Sequence, residues 1–142
     1  SEVNMAETSN QKQICALIES WAQGVRAGDV DGVLAHHADG IVMFDVPLPL
    51  RSSGISGYRK TMELFFSFQN KGGFDLSELS IRASDTIAFC HSLVRFGNEA
   101  EPNVRLTMAF RKIQGKWLIA HEHHTSAMAF PVITTKHEIG AD

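Results

Sequence analysis

Cysteine is scarce in this chain of 142 residues: only Cys15 and Cys90 carry a thiol, far apart and each within an apolar pattern. They read as small buried thiols rather than a disulfide or a nucleophile. Long hydrophobic runs are also missing, so neither a membrane span nor a secretory signal is expected, and the default setting is a reducing, cytoplasmic one. No excess of positive charge exists either. Thirteen Lys and Arg stand against sixteen Asp and Glu, for a net charge of −3. Without a basic cluster to track phosphates, nucleic acid is not an expected partner. No phosphate-binding glycine loop, dinucleotide fingerprint or nucleophile elbow is present.

What remains is an ordinary globular balance, 44% hydrophobic and 20% charged. A chain of this length buries enough surface to fold without a metal or disulfide staple. Between Gln11 and Ala27 the residues Ile14, Leu17, Ile18, Trp21 and Val25 form an i, i+3, i+4, i+7, i+11 stripe, which predicts an amphipathic helix. Thr8, Ser9 or Asn10 is expected to cap its start, and Gly28 its end. Asp29 then caps a short second helix reaching about His37. Ile41 to Phe44 reads as a strand closed by Asp45 and the proline-broken loop Val46 to Ser53. A third helix follows Ser56, with Tyr58, Met62, Phe65 and Phe66, and Asn70 to Gly73 stops it.

After that the hydrophobic period becomes two. Phe74–Ala83, Thr86–Phe96, Val104–Ile113 and Lys116–Ser126 predict four strands in an antiparallel meander. Segregated helices and strands indicate one α+β domain, over about residues 8–130, with loose termini at 1–7 and 131–142.

Gly28-Asp29, Phe44-Asp45, Gly115-Lys116-Trp117 and His121-Glu122-His123-His124, in that order, carry a resemblance. Over about Ile14 to Ser126 the chain resembles the SnoaL-like branch of the nuclear transport factor 2-like superfamily. It is also similar to the association domain of calmodulin-dependent kinase II. The resemblance implies a curved antiparallel sheet wrapped around three helices in a cystatin-like cone, with a small-molecule pocket between them. It further implies homodimers through the outer sheet face. Family members include isomerases, polyketide cyclases, dehydratases and non-catalytic assembly domains, so fold alone does not choose an activity. In ketosteroid isomerases of this fold, an Asp base works with a tyrosine and a protonated Asp. This chain has one tyrosine, Tyr58, and Val33 stands where the association domain carries another. The association domain's pocket arginines align with His91, Met108 and His124.

Which residues face the pocket depends on the hairpin at Gln114-Gly115. A two-residue turn pairs Ile113 with Lys116 and puts Met108, Phe110, Ile119, His121 and His123 on one face. A bulged turn pairs Lys112 with Lys116 and puts Leu106, Met108 and Phe110 with Leu118, Ala120, Glu122 and His124. The second gives the more continuous apolar layer and is preferred. On the preceding strand the larger Phe89, His91, Leu93 and Arg95 are expected inward.

The expected catalytic constellation is therefore Asp45, His91, Glu122 and His124. Trp21, Phe44, Phe66, Phe89, Met108 and Phe110 form an apolar wall, and Arg95 is a further ligand contact. Burial of Asp45 in an apolar cleft suits it to general-base use, with a neighbouring histidine donating a proton. Alternatively Asp45 only caps the loop after Phe44. His121 and His123 alternate as chelating histidines do, yet a third ligand is not identifiable, so no metal and no cofactor are expected. The function expected is acid–base isomerase, cyclase or dehydratase chemistry on a small, mostly apolar carbonyl compound. The alternative is a non-catalytic binding or assembly module. A homodimer is expected through an outer face carrying Val94, Trp117 and Ile119.

Overall fold

The computed structural model describes residues 2–68 and 73–129. The first helix, α1 (Glu2–Ala27), starts well upstream of the expected caps. Its stripe behaves as read: Ile14, Ile18, Trp21 and Val25 are each at most 2% exposed. Each such burial stabilises the fold by about 1.5–3 kcal/mol. Asn10 lies inside the helix rather than capping it. Its side-chain oxygen accepts from Trp117 Nε1 at 3.2 Å and Lys112 Nζ at 3.1 Å, tying α1 to a distant hairpin.

Gly28 ends α1 in the left-handed conformation at φ +66, where a side chain would be strained. Asp29 caps α2 (Val30–Leu34), accepting from Gly32 N at 3.0 Å. The two helices touch closely, because a Cβ on Gly24 would sit 2.9 Å from Val33 Cγ2. This second helix is shorter than expected. His37 is not its end but the first residue of β1 (His37–Phe44).

A two-residue strand, β2 (Ser52–Ser53), lies within the loop expected after Asp45 and pairs with β1. Next comes α3 (Gly54–Phe68), burying Tyr58 and Met62. Of the expected stop signal, Asn70 to Gly72 lie outside the described residues, and Gly73 already opens a strand. The four expected strands follow: β3 (Gly73–Ala83), β4 (Ile87–Gly97), β5 (Val104–Ile113) and β6 (Lys116–Thr125). The tail expected to be loose, 131–142, lies outside the described residues.

The curved sheet runs β2-β1-β6-β5-β4-β3, with the helices on one face. It is mixed rather than wholly antiparallel, because β1 runs parallel to β6. The chain reaches that position through α3 and the four-strand meander, as a parallel neighbour requires a long connection.

The β5–β6 hairpin settles the facing question differently from either expected register alone. The turn is the unbulged one: Ile113 pairs with Lys116, and Gln114 and Gly115 take φ of +50 and +78, as a type I′ turn demands. Phe110 then pairs with Ile119, but Ala109 pairs with His121. Ala120 is therefore an extra residue, a bulge that reverses the alternation of β6. Before it, Trp117 and Ile119 point inward; after it, Glu122 and His124 do. Leu118 and Ala120, expected in the inner layer, are only half-buried. Across the sheet, Cys90, Met108, Glu122 and Met43 form one buried row.

Candidate functional site

Between α1, α3 and the inner sheet face lies a cavity of about 630 Å³. Its wall is largely apolar, with Trp21, Val25, Met43, Met62, Phe65, Phe74, Val94 and Phe96. Polar groups enter at only a few points, among them Asp45, Tyr58, Glu122 and His124. An apolar cleft with a few convergent polar groups is the usual form of a small-molecule site.

Glu122 organises those groups. It is 1% exposed, and both its oxygens are used. Tyr58 Oη donates to Oε2 at 2.7 Å, and His37 Nε2 meets the same oxygen. His124 Nε2 donates to Oε1 at 2.8 Å. His37 is anchored on its other side, Nδ1–H donating to the Val33 carbonyl at 2.8 Å, and its ring lies 4.2 Å from that of Tyr58. Trp21 Nε1 is buried beside the Tyr58 phenol without a hydrogen-bond partner among the described residues.

Opposing forces set the charges. Burial pushes the Glu122 carboxyl up, but His37 and His124 together hold it well below the usual carboxylate range. Burial disfavours charge on His124 as well, yet the hydrogen bond and negative charge of Glu122, with Asp45 behind them, raise its pKa above 6.5. Burial and the Glu122 charge keep Tyr58 firmly protonated. Burial also drives Cys90 up to about 12, so it is an inert thiol.

His124 therefore presents a ring with one nitrogen committed to Glu122. Its Nδ1 has no partner among the described residues. Asp45 stands at the same cavity and is half-buried rather than enclosed. Its Oδ1 accepts from Val46 N at 2.8 Å, which is the loop-capping contact, while Oδ2 makes no hydrogen bond among the described residues. The carboxylate does both things: it caps the loop and faces the cavity.

Of the expected site residues, Asp45, Glu122, His124 and Trp21 come together here. The others do not. Because Cys90 pairs with Met108 on the inner face, its neighbours His91 and Phe89 point outward, and Phe89 is 49% exposed. Arg95 follows the same alternation, pairing with Asp75 and donating to the carbonyls of Gly97 and Glu99. Phe44 sits opposite in parity to buried Met43, and its ring packs 5.0 Å and 5.3 Å from His121 and His123 on the outer face. Phe66 packs beside Phe65 without reaching the cavity. Met108 and Phe110 do point inward, but as fully buried core that touches no cavity space. Val94, Trp117 and Ile119, expected on the outer face, are buried inside.

Sequence reasoning missed the placement of His37 and Tyr58. The available signal was Glu122 itself, because a buried carboxylate needs donors from other elements. Among the described residues no group of three or more His, Cys, Asp or Glu side chains is arranged to hold a metal ion. No described helix is long and apolar enough to cross a membrane.

Comparison with known proteins agrees with this architecture. Residues 14–131 match the family model described as the SnoaL-like domain. A nuclear transport factor 2-like protein of unknown function from Pseudomonas putida KT2440 is 32% identical, with a TM-score of 0.81 over 88% of this chain and 92% of that one. A candidate dehydratase of the same fold from Streptomyces avermitilis gives 14% identity and 0.73, over 86% of this chain and 99% of that one. A candidate calcium/calmodulin-dependent protein kinase type II association domain from Thiobacillus denitrificans gives 15% and 0.67, over 80% and 94%. No curated protein sequence matches. This chain belongs to the SnoaL-like domain family, within the nuclear transport factor 2-like fold.

Proposed function

We propose that this chain is a cofactor-independent enzyme of the isomerase, cyclase or dehydratase type, moving a proton on a small, mostly apolar carbonyl compound. The observation that carries the reading is His124, held by buried Glu122 with its second nitrogen unpartnered among the described residues, at an apolar cavity that Asp45 also lines. Asp45 is the base. It takes a proton from the carbon beside the carbonyl, the C–H electron pair becomes the C=C bond of an enol as the C=O π pair moves onto oxygen, and His124 donates to that oxygen. In an unsaturated substrate, Asp45 returns its proton at the far carbon of the conjugated system as the enol collapses to the carbonyl and gives its O–H proton back to His124, so both groups are restored. The apolar wall keeps the developing charge away from water, where His124 stabilises it most effectively. Arg95, which would favour the binding-only alternative if it faced the cavity beside His124, instead pairs with Asp75 on the outer face.

Asp45→Asn tests the role of the base. It keeps the shape and the Oδ1 contact to Val46 but removes the proton acceptor. Turnover on a carbonyl compound found by substrate screening should fall roughly a hundredfold or more, with stability little changed. Full turnover with lost stability would leave Asp45 a loop cap and overturn the assignment.

We also propose a homodimer through the outer sheet face, on residues other than those first expected. Two neighbouring rows there, Phe89-Ala109-His121-Val42 and His91-Thr107-His123-Phe44, contain no Asp, Glu, Lys or Arg. An uncharged band four strands wide suits a self-complementary contact.

A further inference from the structure

The cavity network uses a residue that never reaches the cavity. His37 has a fully buried side chain and is absent from the cavity wall, yet it makes contacts on both sides of its ring. Nδ1 faces the Val33 carbonyl, which only accepts, so that nitrogen carries a proton. The remaining contact is Nε2 against Glu122 Oε2. We propose that His37 is a positioning residue that fixes Glu122 as a charged carboxylate, and through it holds the cavity-facing His124.

The chain of causes begins outside the site. The Asp29 cap and the close approach at Gly24 seat α2, so that Val33 is fully buried. Its carbonyl then orients the His37 ring four residues on, at the start of β1. That fixes which nitrogen meets Glu122, as a carbonyl partner does for metal-bound and catalytic histidines. The opposite oxygen of Glu122 is left for His124. Tyr58 from α3 shares Oε2, but a neutral phenol supplies no counter-charge. Among the described residues the other ionisable groups near this carboxylate are Cys90 on β4, which stays protonated, and the Asp45 carboxylate past the end of β1. His124 is itself the group to be held. His37 is thus the counter-charge independent of the cavity, and without it a desolvated carboxylate is driven toward its neutral acid.

This inference rests on the reading of His124 as the cavity's proton donor, but its test needs no substrate and no turnover. The ¹³C carboxyl signal of Glu122 and the ¹⁵N imidazole signals of His124 are followed against pH in the ligand-free protein. In wild type, Glu122 keeps its carboxylate signature down to about pH 4. In His37→Phe, which retains the ring against Tyr58, Glu122 takes up a proton within the range from about pH 4 to 8, and the His124 titration falls with it. His37→Gln returns one neutral donor to Oε2 and restores Glu122 part of the way. It also provides the reading if the phenylalanine variant does not fold. Glu122 still charged at about pH 4 in His37→Phe, or titrating as wild type in His37→Gln, overturns the proposal. So does a His124 titration that stays fixed while Glu122 moves. Failure of the base assignment would appear separately, as full turnover in Asp45→Asn.

Discussion

Replacing Glu122 by glutamine tests how much the buried network contributes to stability. The amide preserves volume and reach, so no cavity is created. It offers one acceptor oxygen in place of two, against donors from Tyr58 at 2.7 Å, His124 at 2.8 Å and His37. Its NH₂ must also face a former donor. At least one buried group is left unpaired, and the histidines lose their counter-charge. Removing one member of a buried ion pair typically costs about 3–5 kcal/mol. His124 can soften this by giving up its proton and accepting from the amide, which places the loss near the low end, about 3 kcal/mol. For a domain of this size that lowers the thermal midpoint by roughly 10 °C. Urea unfolding at neutral pH, with an unchanged slope, measures the difference directly. A variant within about 0.5 kcal/mol of wild type would refute the reasoning, since ordinary surface changes do as little.

The pH dependence of stability follows from the same groups. Glu122 is held below its ordinary 4.5, so its contribution is present above that value and is lost as pH falls toward its folded pKa. His124 is raised above 6.5, so its contribution is complete below that value and is lost as pH rises through its folded pKa. Urea midpoints across the range should therefore be highest between these limits and should flatten in Glu122→Gln. A wild-type midpoint that climbs from about pH 6 to 8 would contradict the sign for His124. For the outer face, light scattering at micromolar concentration should give a dimer, and Phe89→Glu a monomer. A wild-type monomer would remove the interface.

Most of the fold was legible because the second half of the chain changes period cleanly and is punctuated by turn residues. All four long strands lie within a residue or two of where alternation places them. The inward set of β4 was not legible. Bulky Phe89, His91, Leu93 and Arg95 look more core-like than Ala88, Cys90, Ser92 and Val94, but the inner face also receives Trp21, Trp117 and Phe110 from other elements. Small residues fit beneath them, and the long Asn98–Asn103 connection gives no tight-turn signal from which to count the register. Asp45 stands where the strand end places it, but Glu122 and His124 face inward through the bulge at Ala120, not through the bulged turn at Gly115 from which their facing was expected. His37 was missed because β1 has no clean alternation, its burial running in irregular pairs with a register shift after His37. A side chain whose role is defined by a partner 85 residues away leaves no local pattern.

The extra residue at Ala120 has a consequence for comparing relatives. It divides β6 into a half that seats Trp117 and Ile119 against α1 and a half that supplies Glu122 and His124 to the cavity. The two halves are out of phase by one residue, so each can keep its own inward set. A relative lacking that single insertion would keep its equivalents of Glu122 and His124 inward, but one residue nearer the same hairpin. Site residues are therefore transferable among members only after the bulge has been located, because an ungapped alignment through it assigns the cavity's acid–base groups to the wrong side of the sheet.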